Sequence, residues 1–286
     1  MTGNGVPGEG AAERAALRRT WNELDALLAA NTEREPEARR RIGALVERLR
    51  TPAAAFLRSE LERRLARHVD ADDPFARDRI AHVLAGACGA AALPALLRAW
   101  ESDRDQDGDT LELDLLDLFS AWPGTSVGLV LGCLASDDPA TRLVGVRGLS
   151  LIDCGGRDYF GPVADAASDL DPRVRADVMS TLGSLFGTGD PVRALAVLMT
   201  GAGDSAPEVR RAAVAALAAS HDEPTTELLV ARTADTDRWV RFSAAWSLAR
   251  RPGPAVRTAL ERLVTDEDAD VRAAARTVLE LPPRPL

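Results

Sequence analysis

The sequence predicts an all-α fold, a solenoid of about eight helix pairs. Three observations carry this reading. A pattern of Asp, then Pro or a polar residue, two residues, Arg, and apolar residues three, four and seven positions beyond the Arg recurs along the chain. A second apolar stretch follows each copy. The composition is 46% hydrophobic and 28% charged but only 4% aromatic, an Ala-, Leu-, Val- and Arg-rich profile that suits packed helices better than a β-sandwich. At 286 residues the length alone suggests about two domains, but a continuous array needs no such division.

The copies stand in order along the chain. Glu35-Pro36-Glu37-Ala38-Arg39 precedes Ile42, Leu45 and Val46, and Asp73-Pro74-Phe75-Ala76-Arg77 precedes Leu84. A degenerate copy has Asp107 with Leu111, Leu115 and Leu118. Asp138-Pro139-Ala140-Thr141-Arg142 precedes Val146 and Leu149, and Asp171-Pro172-Arg173-Val174-Arg175 precedes Val178 and Leu182. Pro207-Glu208-Val209-Arg210 precedes Ala213, Val214 and Leu217. Asp237-Arg238-Trp239-Val240-Arg241 precedes Ala244, Ala245 and Leu248, and Asp268-Ala269-Asp270-Val271-Arg272 precedes Ala275 and Leu279. The anchors at 39, 77, 111, 142, 175, 210, 241 and 272 are 31 to 38 residues apart, a period that marks a stacked-repeat architecture.

Each unit reads as a helix pair. The Asp is placed to accept hydrogen bonds from the free N–H groups of the first turn. Pro suits the first helical position, where no donor is needed. The apolar spacing makes one buried face. The second stretches, such as Ala92–Trp100, Val192–Met199 and Val256–Val264, follow Gly- or Pro-containing breaks such as Pro252-Gly253-Pro254. One pair cannot bury its own apolar face, so neighbours must stack.

Residues 1–10, with four Gly and one Pro, predict a disordered start and lack the form of a signal peptide. Residues 11–31 predict a capping helix through Leu17, Trp21, Leu24, Leu27 and Leu28. The repeats occupy 33–281 and a short tail 282–286. The uncharged run Leu118–Ser136 is divided by Trp122-Pro123-Gly124-Thr125-Ser126, which predicts two short buried helices with a turn, not a membrane span. Cys88, Cys133 and Cys154 are far apart in apolar stretches, which predicts three buried thiols and a cytoplasmic setting. The net charge is −9 and all 35 basic residues are Arg. That balance argues against nucleic acid or an anionic membrane as the main partner.

These residues resemble HEAT repeats, which are armadillo-like, especially the short bacterial type of phycobilisome lyases. The matching signature is an Asp six residues before the Arg of a Val-Arg pair: Asp169 with Val174-Arg175, Asp204 with Val209-Arg210, Asp235 with Val240-Arg241, and Asp266 with Val271-Arg272. The resemblance covers roughly residues 33–281. It implies a right-handed α-solenoid in which Asp and Arg form a structural ladder along the intra-repeat turns and the Val-Arg helices line a concave face. It is specific for fold and silent on activity, since the family includes scaffolds, adaptors, lyase subunits and DNA glycosylases.

One chemical motif stands out. Residues 103–114 place Asp103, Asp105, Asp107, Asp109 and Asp114 around Gly108 in the D-x-D-x-D-G pattern of a calcium loop. Asp114 replaces the usual bidentate Glu and Thr110 the usual apolar residue. A plain acidic turn with Asp107 as helix cap is the competing reading, so calcium is kept as an expectation and no other cofactor is implied. His68, His82 and His221 show no metal spacing, and no catalytic constellation is visible, which favours a protein that is not an enzyme.

If the Val-Arg helices line the concave groove that the resemblance implies, residues one and five after each anchor should point into it, among them Asp78, His82, Leu116, Arg147, Ser180, Arg211, Phe242 and Trp246. Trp and Arg dominate interaction hot spots. Arg211, Arg238, Trp239, Phe242, Trp246 and Arg250 are therefore the expected site for a protein or peptide partner of a scaffold or adaptor. Two alternatives remain from the resemblance: a DNA glycosylase or other nucleic-acid binder, which needs an Arg-lined groove with aromatics, and a lyase or chaperone-like subunit for a cofactor-bearing protein.

Overall fold

A computed structural model describes residues 36–50, 55–71, 73–101, 109–152, 160–184 and 190–281, with isolated positions between 19 and 26. Residues 1–10, the tail 282–286, most of the expected capping helix and the acidic stretch 102–108 lie outside the described residues. Among the described residues every regular element is helical. The chain divides into two compact units, residues 1–129 and 130–286.

The first unit contains α1 (Pro36–Leu49), α2 (Ala55–Asp70), α3 (Pro74–Cys88), α4 (Leu93–Glu101) and α5 (Asp109–Ala121). Asp73 caps α3 as its position predicts, its carboxylate accepting from the Ala76 N–H at 3.2 Å. Leu61, Leu65, Ile80, Leu84, Leu96, Leu111 and Leu115 are fully buried where α2, α3, α4 and α5 meet. Residues 74–101 are long and apolar enough to pass for a membrane span. They are broken by the 3-10 turn Gly89–Ala92, and their apolar side chains make this core. Gly89 has φ +55, and a Cβ there would lie 2.7 Å from the Trp122 ring. Glycine is therefore required at this break both by conformation and by the indole that covers it.

The expected turn over 122–126 is shorter than its sequence suggests. α6 (Pro123–Leu134) restarts directly after Trp122. Pro123 takes the first helical position, and both the N–H and Oγ–H of Ser126 donate to the Trp122 carbonyl.

The second unit holds α7 (Pro139–Leu151), α8 (Phe160–Asp165), α9 (Pro172–Ser184), α10 (Pro191–Gly201), α11 (Pro207–Ala216), α12 (Glu223–Arg232), α13 (Arg238–Ser247), α14 (Pro254–Leu263) and α15 (Ala269–Glu280). They pair as α8/α9, α10/α11, α12/α13 and α14/α15. The second helices α7, α9, α11, α13 and α15 pack one on the next. Val174, Val209, Val240 and Val271, each one residue before an anchor Arg, are fully buried. Asp138, Asp237 and Asp268 cap their helices as expected, and Asp190 and Asp222 cap α10 and α12 in the same way. α7 approaches α6 so closely that a Cβ at Gly145 would lie 2.5 Å from the Leu134 nitrogen.

Candidate functional site

Four rungs of paired charge run through the second unit. Arg142 donates from Nε and Nη2 to both oxygens of Asp169, at 2.7 and 2.8 Å. Arg175 does the same to Asp204, Arg210 to Asp235 and Arg241 to Asp266, at 2.8–2.9 Å. Each Arg therefore reaches the Asp of the following repeat. Its Nη1 meanwhile donates to the carbonyls five and six residues earlier in its own turn, as Arg210 does to Ser205 and Asp204. Each Asp also accepts the N–H two residues on. A planar guanidinium can serve two carbonyls and a carboxylate at once because its donors are fixed in a fork.

The electrostatics follow the geometry. The Arg142 and Arg175 guanidiniums hold the Asp169 and Asp204 carboxyls below the ordinary carboxylate value. At Asp235 and Asp266 burial pushes the other way, but hydrogen bonds from Arg210 and Arg241 and from the backbone outweigh it. Of the four Arg expected in the ladder, Arg175, Arg210 and Arg241 take Asp partners. Arg272 caps only the carbonyls of Asp266 and Glu267 among the described residues. Arg142 is a rung that the signature did not reveal, because Ser136 stands six residues before it.

The expected partner residues gather on and beside α13. Trp239 and Phe242 stack edge-to-face at 5.8 Å between ring centroids, and Phe242 and Trp246 at 6.3 Å. Trp239 is 39% exposed and Trp246 42%, while Phe242 is half-buried. These rings are a surface ridge; the opposite face of α13 supplies Val240, Ala244 and Leu248 to the core. Arg238 lies 4.6 Å over the Trp239 ring and pairs with Asp268 at 2.9 Å. Arg211 and Arg250 are exposed. Of the other residues expected there, Asp78 is buried against Arg77 at 2.8 Å, and Leu116 is half-buried, as Phe242 is.

His82 is half exposed on α3, and its Nδ1 lies 2.7 Å from Asp114 Oδ1 on α5. That hydrogen bond raises the His82 pKa against the effect of burial, with Asp117 adding to it. Asp103, Asp105 and Asp107 lie outside the described residues, as does the Asp109 side chain. Asp114 is the only member of the expected calcium set whose side chain is described, and it is buried with one oxygen engaged by His82. No group of three metal-ligating side chains occurs among the described residues. Cys88 and Cys133 are half-buried rather than fully buried, and Cys154 lies outside the described residues. Burial pushes the Cys88 thiol up, opposed by Arg58.

Arg251 was not legible as a structural residue. It reaches back a full repeat to the carbonyls of Leu217, Ala218 and Ser220 and to Thr226 Oγ1. The Pro252-Gly253 break beside it was the available signal, since an Arg entering a Gly/Pro turn can serve helix-end carbonyls. An open cavity of about 640 Å³ lies between α8 and α10, lined in part by Asp165, Ser168, Arg193, Thr200 and Asp204. Its polar groups are already engaged: Arg193 with Asp165 and the Phe160 ring, Asp204 with Arg175, and Ser168 and Thr200 with backbone carbonyls.

Comparison with known proteins bears on the fold. A family model described as HEAT repeats matches residues 128–218 and 195–280. The chain is similar to the Escherichia coli protein YibA, with 19% identity over 65% of this chain and 69% of that one, at a TM-score of 0.53. It is also similar to the CpcE–CpcF complex of phycocyanin lyase from Nostoc sp. PCC7120, with 23% identity over 54% and 98% of the two chains and a TM-score of 0.43. A designed armadillo repeat protein in complex with a (KR)4 peptide matches at 16% identity over 66% and 98%, with a TM-score of 0.44. No curated protein matches. The family model spans more than half of the 286 residues, and within its span lie the stacked helix pairs and all four Arg–Asp rungs: the chain belongs to the HEAT-repeat family.

Proposed function

We propose that this chain is a non-enzymatic interaction module that holds a protein or peptide partner on the α13 face. The observation that carries this reading is the exposed Trp239–Phe242–Trp246 ridge on a helix whose other side is fully packed. Large aromatics left in water by an ordered helix are costly unless a partner covers them, and Trp, Tyr and Arg are the residues that dominate such contacts. A phosphate-binding groove has less support, because three of the Arg near this flank are committed to carboxylates: Arg147 to Asp177, Arg173 to Asp171 and Arg238 to Asp268.

The test is affinity capture from native lysate with the wild type and with Phe242→Ala/Trp246→Ala. The reading expects one or more proteins held by the wild type and lost by the variant, at an unchanged melting midpoint. Identical capture by both proteins contradicts it.

A further inference from the structure

The aromatic ridge has two chemically different ends, and the inference drawn from them rests on the docking reading above. At Trp239 carboxylates outnumber the one Arg. Arg238 covers that ring and pairs with Asp268, and Asp237 caps the helix through the N–H groups of Trp239 and Val240. The residues equivalent to Trp239, two before their anchors on α11 and α15, are Glu208 and Asp270. Around Phe242 and Trp246 the equivalent residues are Arg211, Ala215, Ala273 and Thr277, with no carboxylate. Arg211 and Arg250 are exposed and form no ion pair with a described residue, in contrast to the ladder Arg.

Arg250 is further distinguished by its backbone. Its φ is 62°, the one positive value at a non-glycine among the described residues. A left-handed residue just past a helix is normally Gly or Asn, because a Cβ is disfavoured there. A long cationic side chain held in that conformation, one turn beyond Trp246, points to a use for the guanidinium, since such strain persists mainly where it serves a site.

We propose that Phe242, Trp246, Arg211 and Arg250 receive an acidic segment of a partner protein. Apolar side chains of that segment cover the two rings, and its Asp or Glu carboxylates accept from the two guanidiniums, whose fork matches a carboxylate in bidentate geometry. The net charge of −9 does not prevent this. At physiological ionic strength charges beyond about 8 Å are largely screened, so the local pair of cations decides.

The experiment uses the full chain and a fluorescein-labelled peptide of three Asp-Leu-Glu-Glu units, with a twin carrying Asn and Gln at the acidic positions and a second carrying Lys. Fluorescence anisotropy is expected to show saturable binding of the acidic peptide, weaker by about tenfold or more for the amide twin and weaker still for the Lys twin. Arg211→Gln and Arg250→Gly are each expected to lower the affinity by about tenfold, the loss of one charge-assisted contact. Arg250→Gly is also expected to leave the melting midpoint unchanged or higher, because glycine adopts this conformation freely; a purely structural Arg250 would lower it. Equal binding of the amide twin, preference for the Lys twin, full affinity in both Arg variants, or no saturable binding up to about 1 mM, where affinity is already negligible, each overturn the proposal. Capture of a lysate protein that survives Arg211→Gln and Arg250→Gly but not Phe242→Ala/Trp246→Ala overturns it while leaving the docking reading intact.

Discussion

In residues 130–286, four anchor Arg reach forward to four Asp of the next repeat, and each Asp turns back to fix its own turn. In residues 1–129 the anchors differ. Arg77 donates to Asp78 within its own helix, and Leu111 stands where the next Arg would be. There the described polar links between successive second helices are His82 on α3 with Asp114 on α5, and Arg50 at the end of α1 with the Gly86 carbonyl on α3. The apolar packing is alike in both units, with fully buried Leu and Val at the repeated positions. Stacking follows the apolar pattern even where Leu111 replaces the anchor Arg, and each of the four described rungs joins an anchor Arg to an Asp six residues before the next anchor.

Perturbing each unit separately tests this difference. The largest effect is expected from truncation after Val230, which removes α13, α14 and α15. It exposes the buried faces of α11 and α12, since end repeats act as caps. Size-exclusion chromatography should show aggregation; a soluble, monodisperse fragment would contradict the account.

Next comes Arg210→Ala. Asp235 has a side chain only 4% exposed and would keep its charge without its main partner. The expected cost is about 1–3 kcal/mol, measured as a drop in denaturant midpoint. Arg257→Ala, which breaks the exposed pair with Glu261, should cost less than about 0.5 kcal/mol.

The pH dependence should have opposite signs in the two units. Asp169, Asp204, Asp235 and Asp266 have folded pKa values below the ordinary 3.8. Their contribution is present above 3.8 and is lost as the pH falls through the lower folded values. Asp171, bound by Arg173 and held at about 2, follows the same direction. His82 is raised above 6.5, so its contribution is complete below 6.5 and is lost as the pH rises through the folded value. Hydrogen exchange resolved along the chain should therefore show protection in α9 to α15 falling in acid, and protection of α3 and α5 falling slightly as the pH rises beyond 6.5 through the raised His82 value. His82→Gln should abolish only the second effect. Its cost in stability is expected to be small, below about 1 kcal/mol, because the imidazole is half exposed.

Much of the fold was legible because its signals are local. Pro at a first helical position, Asp before it and Val-Arg after it act within one turn, and the structure places helix starts at Pro74, Pro139, Pro172 and Pro207 accordingly. The first helices of the pairs were harder to read, since α8 spans only Phe160–Asp165 and carries little periodic signal. The contacts of His82 with Asp114 and of Arg251 with Ser220 join residues 31 or 32 positions apart; nothing near His82 declares its partner, and beside Arg251 the Pro252-Gly253 break hints at a helix-end role without naming the carbonyls it serves. The aromatic ridge was legible as a cluster of residue types. Its exposure was not, because i, i+3 and i+7 spacing fits a buried stripe as well as a surface one. The strained backbone at Arg250 has no sequence signature beyond the absence of the usual glycine.

The central claim is that each rung couples one repeat to the next. A double-mutant cycle on Arg210→Ala, Asp235→Ala and the combined variant tests it most directly, by denaturant unfolding. The account expects a non-additive interaction of about 1 kcal/mol or more, with the double variant less damaged than the sum of the singles. Strict additivity would mean that the pair lies together in space without holding the repeats together.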